Sequence, residues 1–329
     1  MVSKIQEKMT RLLSLVRNGR YPQAVGYASQ FVLGRSLYVK HLETYLTADD
    51  IPVQVEGNTM FLSPKDPGIS SELFHFGSRE PEATEIMRRE FERIGANVDE
   101  PVVLEIGANR GYYAFLAADT LGDDARILAF EPDPSNFEGL CKGIEANRFD
   151  TISPQRIAVG DKDTTETLNL AASSNSHTLQ TVSADDDKYT GETVQTPVRR
   201  IQTLTEEADI SPGDVDIVRM DIEGYESAAF DGMRELLATN SDLLVFVELH
   251  PHRVPPGELA AIVSALDTAG FEFVHASSSA NPNLDGFDEV QRHLQTPKGR
   301  HTVELIARRK ASGNVETVTE EQLLVGADK

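Results

Sequence analysis

The chain has 329 residues, with 53 Asp and Glu against 31 Lys and Arg and a net charge of −22. That length and 40% apolar content suffice for one large core or a core with a small appendage, while the acid excess argues against a nucleic-acid partner and for a solvated surface adapted to high salt. A single cysteine, Cys141, excludes an internal disulfide and suits the reducing cytoplasm, and no segment reads as a transmembrane span or a signal peptide. Residues 1–48 break the charge trend. There Lys4, Lys8, Arg11, Arg17, Arg20, Arg35 and Lys40 face only Glu7 and Glu43. Apolar residues recur at helical spacing at Ile5, Met9, Leu12, Leu13 and Val16, and again at Ala24, Val25, Ala28, Phe31 and Val32, which predicts two helices. Packing on its own domain is the first expectation for this basic helical segment; a homodimer contact or peripheral contact with an anionic membrane through residues 1–45 are the alternatives.

Residues 49–98 read as lead-in elements, with strand near Val53 and Met60 and a helix from Pro81 to Gly95. The main domain, 99–310, opens on Val102 to Ile106, where a short β-branched run leads into Glu105 and then a turn at Gly107 and Gly111. A second strand, Ile127 to Phe130, leads into Glu131 and Pro132, and Ile152 to Val159 reads as the third. A β-rich insertion follows, with strands at Glu166 to Leu170 and Val194 to Ile201 around a polar loop from Ser173 to Gly191. Strands at Asp216 to Met220, Leu243 to Leu249, Phe271 to His275 and Thr302 to Ala307 complete the sheet, with helices at 226–238 and 257–269. The alternation predicts an α/β fold with a doubly wound, seven-stranded, mostly parallel sheet. Residues 311–329 are expected to form a flexible acidic tail.

Parallel strands joined by helices place ligands outside their carboxyl ends, where the named acids fall. Glu131 lies 20 residues beyond Gly111, where an acid accepts hydrogen bonds from ribose hydroxyls. The turn is E-x-G-x-x-x-G, with Ala108 and Asn109 where a dinucleotide site needs its pyrophosphate-facing glycine. This turn resembles the first motif of the class I S-adenosylmethionine-dependent methyltransferases, and the implied fold is their Rossmann-like one. Further motifs occur in order: F-L-S-P-K-D-P-G-I-S from Phe61, R-E-P-E-A-T from Arg79, F-E-P-D-P-S-N-F from Phe130, I-A-V-G-D from Ile157, S-N-S-H-T-L from Ser174, M-D-I-E-G-Y-E from Met220 and V-E-L-H-P from Val247. Together they resemble the FkbM family of methyltransferases over about residues 55–310. Glu105 stands where the family often has Asp, and Arg110 where an apolar residue is common.

The resemblance implies S-adenosylmethionine as cofactor and an oxygen of a sugar, glycan or related small molecule as acceptor. A lipid-linked surface glycan is one such acceptor. Gly107, Ala108 and Gly111 would form the cofactor turn, with Glu105, Asn109 and Tyr112 around the methionine end. Glu131 with Pro132 would hold the ribose, Asp161 would approach the adenine amino group, and Asp221 would close the shell. Catalysis needs an aligned acceptor oxygen and a group to take its proton. The candidates are Asp221, Glu223, Glu248, His250 and the loop residue His177, whereas Glu226 reads as an acid drawn to a helix N-terminus. Asp221, Glu223, Glu248 and His250 offer oxygen and nitrogen donors that suit a hard or borderline cation, but no compact ligand motif such as H-E-x-x-H is present, so no metal is expected. A nicotinamide-dependent oxidoreductase would share Glu131 but lacks G-x-G here, and a noncatalytic cofactor-binding relative would carry the same binding motifs.

Overall fold

The computed structural model describes residues 2–17, 19–33, 36–38, 40, 49–183, 186–240, 242–295 and 301–309. The tail expected at 311–329, and Arg35 and Glu43 of the basic segment, lie outside the described residues. Helices α1 (Val2–Arg17) and α2 (Tyr21–Leu33) precede a hairpin of β1 (Ile51–Val55) and β2 (Asn58–Leu62), then α3 (Ile69–Phe76) and α4 (Pro81–Gly95). Glu56 and Gly57 at the hairpin tip both have positive φ, as a two-residue primed turn requires. Next come β3 (Val102–Ile106), α5 (Tyr112–Leu121), β4 (Arg126–Phe130), α6 (Pro134–Asn147), β5 (Ile152–Gln155), β6 (Ala158–Val159), β7 (Thr164–Ala171) and β8 (Tyr189–Arg199). The remainder is α7 (Ile201–Glu207), β9 (Ile217–Met220), α8 (Glu226–Asp231), α9 (Arg234–Thr239), β10 (Leu244–Leu249), α10 (Pro256–Thr268), β11 (Phe271–Ser278), α11 (Phe287–Leu294) and β12 (Val303–Arg309).

Seven strands form the main sheet in the order β11-β12-β10-β9-β3-β4-β5. Only β12 among them runs against the others, wedged between β10 and β11. Both faces are covered, which is why the central strands read as continuous apolar runs. Val102, Leu104 and Ile106 pack into the core on one face, and Val103 into the core on the other. Glu105 shares the side of Val103 and stands in register with Arg219 of β9, so a buried acid and a buried base meet across one strand pair.

Several boundaries differ from the sequence reading. The run expected as one third strand divides: Ile152–Gln155 joins the main sheet, whereas Ala158–Val159 pairs with β8 in a separate sheet of order β6-β8-β7. Ile201, expected to end a strand, opens α7 instead. The single helix expected over 226–238 breaks at Gly232, where a Cβ would stand 2.1 Å from the Gly160 carbonyl oxygen. In the N-terminal segment Leu15, Ala24 and Tyr27 are buried together, and Met9, Leu13 and Val16 of the expected inward stripe are exposed. Arg20 donates to the carbonyl oxygen of Phe76, and Arg11 pairs with Glu72 at 3.5 Å, so the two helices rest on α3.

Candidate active site

The turn after β3 is shaped by close approach. Gly107 has φ 81°, and a Cβ there would stand 2.0 Å from the Asp221 carbonyl oxygen, so glycine alone lets the ends of β3 and β9 lie side by side. Asn109, at φ 51°, donates its backbone N–H to Glu131 Oε2 at 2.8 Å, and Asp133 donates to Glu131 Oε1 at 2.9 Å. These two bonds fix the Glu131 carboxyl at the end of β4. Burial lifts its pKa to about 8, against the pull of the same backbone donors.

Glu131 and the turn face a crevice of about 830 Å³ that is open to solvent. Beside β4 and β5 its lining is apolar, from Phe130, Ile157, Val159 and Leu168; beside β9 it is charged, from Arg79, Arg219, Asp221 and Glu223. The loop 174–179 closes one side. Asp66 anchors that loop by accepting from Ser174 N at 2.9 Å and Ser174 Oγ at 2.6 Å, as well as from Gly68 N and Ser70 N.

The charged end is an interlocked set. Arg219 reaches Glu105 Oε1 and Asp221 Oδ2, both at 3.1 Å, and its guanidinium lies over the Tyr113 ring at 4.5 Å. Arg79 pairs with Glu80 and stands 3.7 Å from Asp221 Oδ2 and 3.6 Å from Glu248 Oε2. Arg253 meets Glu223 Oε2 at 2.7 Å. Burial would raise the Asp221 pKa, but Arg219, Arg79 and His250 outweigh it and hold this carboxyl below the usual range. Burial wins for its neighbours: Glu105 is pushed up to about 7, Glu248 well above the usual carboxylate range, and Glu223 upward against His250 and Arg253. His250 goes the other way, because Glu226, Glu223 and Glu248 overcome its burial and lift it to about 10.

Of the residues singled out in the sequence, Glu105, Gly107, Ala108, Asn109, Tyr112, Glu131, Pro132, His177, Asp221 and Glu223 line the crevice. Glu248 and His250 stand behind Asp221 and Glu223. Gly111 is not at the lining: with φ 96° it caps α5 and packs against Phe115. Asp161 lies in an exposed turn and is not among the residues that line the crevice. Asn109 and Tyr112 have structural commitments as well. The Asn109 amide bonds Arg110 N and the Ser174 carbonyl oxygen, and the Tyr112 hydroxyl holds the backbone of Arg79. His177 Nδ1 accepts from Ala171 N at 2.9 Å, which puts the proton of the neutral ring on Nε2, 3.8 Å from Asp133 Oδ2. That ring is a donor toward the crevice and not a base. Glu226 holds His250 through Nδ1, so its Nε2 faces Asp221, Glu223 and Glu248 from behind the crevice wall. Glu226 is more than a helix-end acid: fully buried, it accepts from His250 Nδ1 at 2.6 Å and from Gly224 N at 2.9 Å. Arg79, Arg219 and Arg253 were not anticipated; the only sequence signal was Arg79 inside an ordered motif.

The sheet order, the E-x-G-x-x-x-G turn and the crevice at the strand ends define a Rossmann-like fold of the class I methyltransferase type. The model of the methyltransferase FkbM domain matches residues 105–273, just over half of the sequence, and the chain belongs to that family. No curated protein matches it. Among solved structures it is similar to the methyltransferase FkbM from Methylobacillus flagellatus KT, at 16% identity, with 63% of this chain and 44% of that one covered and a TM-score of 0.38. This chain thus spans less than half the length of that protein. It is also similar to an O-methyltransferase from Bacillus cereus in complex with SAH (10% identity, 70% and 82% covered, TM-score 0.41) and to M. jannaschii TYW2 in complex with AdoMet (12% identity, 81% and 89% covered, TM-score 0.39).

Proposed function

We propose that the protein transfers a methyl group from S-adenosylmethionine to an oxygen of a sugar, glycan or related small molecule. We place it in a salt-rich cytoplasm, and a lipid-linked surface glycan is the acceptor class to test first. Family membership supports the reaction class and its cofactor. The residues present fit that cofactor. Glu131 offers a fixed carboxyl for ribose hydroxyls, and the apolar wall of Phe130, Ile157, Val159 and Leu168 suits a purine face. Glu105 Oε2 is buried at the wall without a hydrogen-bond partner, an acceptor suited to a cationic amino group.

When bound, the cofactor supplies a methyl group already activated on a sulfonium, so the chain has to position an oxygen and remove its proton. Asp221, kept ionised by Arg219 and Arg79, accepts the hydrogen bond of the acceptor hydroxyl. Glu223, made more basic by burial, takes the proton. The observation that carries this reading is that both carboxylates line the same crevice as Gly107 and Glu131. The test is incubation with methyl-labelled S-adenosylmethionine and free, nucleotide-activated and lipid-linked hexoses and hexuronates, read by mass spectrometry. One labelled O-methyl group is expected, with turnover reduced about 10²-fold or more in Glu223→Gln. Label on nitrogen or carbon alone, or full turnover in that variant, contradicts the reading.

A further inference from the structure

His250 lies just beyond β10, and its side chain is 1% exposed. Its Nδ1–H is fixed by Glu226, so Nε2 points the opposite way, toward Glu223 Oε1 at 3.7 Å, Asp221 Oδ1 at 3.8 Å and Glu248 Oε1 at 3.9 Å. All three separations are too long for a hydrogen bond. Each carboxylate turns its second oxygen to an arginine: Asp221 Oδ2 to Arg219, Glu223 Oε2 to Arg253 and Glu248 Oε2 to Arg79. The oxygens that face Nε2 therefore converge on a gap, and ligand atoms of Asp221, Glu223 and His250 all lie within 4.8 Å of one another. The 3.7–3.9 Å from Nε2 to each facing oxygen lies within the span of two metal–ligand bonds of about 2.1 Å, so an ion can bridge these atoms where a hydrogen bond does not form.

A buried carboxylate on the far nitrogen of an imidazole is also the usual support of a metal-binding histidine.

We infer that Asp221, Glu223 and His250, with Glu248 as a further oxygen donor, form a site for a hard or borderline divalent cation such as Mn²⁺ or Mg²⁺. Three oxygen donors and one imidazole select against the thiolate-seeking metals. Its role rests on the methyl-transfer reading: a cation held there would lower the pKa of the acceptor hydroxyl in place of the direct contacts of Asp221 and Glu223, and Glu226 is a positioning residue that aims Nε2. The sequence names these donors but joins them by no compact ligand motif; the ends of two neighbouring strands bring them together.

The test uses the full chain, stripped of metal by chelator and titrated with MnCl₂, with free Mn²⁺ followed by electron paramagnetic resonance and S-adenosylmethionine binding measured in parallel. One Mn²⁺ per chain is expected, displaced by excess Mg²⁺. Its affinity should fall tenfold or more in Glu223→Gln and about 10–100-fold in Glu226→Gln, with thermal unfolding and cofactor binding retained. Cofactor binding without Mn²⁺ binding, or equal Mn²⁺ affinity in wild type and Glu223→Gln, overturns the cation site alone. Mn²⁺ binding without cofactor binding overturns the methyl-transfer reading and leaves the site standing.

Discussion

Gly107 is the residue with least room for change, since any β-carbon there meets the Asp221 backbone. Gly107→Ala is expected to cost about 2 kcal/mol or more of unfolding free energy and to abolish cofactor binding, as measured by denaturant titration and calorimetry. Glu131 carries a pH signature. Its folded pKa of about 8 lies above the ordinary 4.5, so the folded state holds a proton that the unfolded state has released. Stability from this residue therefore falls as pH rises from 4.5 to 8, while cofactor affinity rises over the upper part of that window as the carboxylate forms to receive ribose hydroxyls. Glu131→Gln should flatten both trends; an unchanged affinity profile in that variant would separate Glu131 from the cofactor. These residues were legible because a glycine in a tight turn and an acid ending a strand leave local signatures. Arg219 and Glu226 were not, because a partner across a strand register or after a chain reversal leaves no spacing rule in one sequence.

At the scale of elements, the loop 174–179 is the part of the crevice wall that the sheet does not hold. Asp66, from the segment before α3, supplies two of its ties, and Asn136 of α6 donates to the Ser174 carbonyl oxygen at 2.9 Å. Asp66→Asn should leave the sheet intact, speed amide exchange across 173–179 and weaken cofactor binding about tenfold, because a neutral amide cannot accept all four donors. Unchanged exchange in that loop would show that the insertion holds it alone. The central strands and α4 were readable from periodicity and β-branching. The helices α3, α7 and α11 were not: each has only seven or eight residues, about two turns, too few for an amphipathic stripe to outweigh neighbouring turn residues. The break between α8 and α9 is set by the Gly160 carbonyl pressing on Gly232, a tertiary contact with no local mark.

For the whole molecule, the sheet order arranges the chemistry in a line. β10, β9, β3, β4 and β5 lie side by side, so His250, Asp221, Gly107, Glu131 and the apolar wall follow one another along a single carboxyl edge. Strand order was open in the sequence, and it decides which acids meet. The central claim is that this edge is a methyl-donor site, and calorimetric titration of the purified chain in high salt with S-adenosylmethionine, and separately with NAD, tests it most directly, with Glu131→Ala alongside. Micromolar binding of S-adenosylmethionine, weakened tenfold or more in the variant, with no saturable NAD binding, is the result predicted here. Saturable NAD binding, or no binding of the methyl donor, would contradict it.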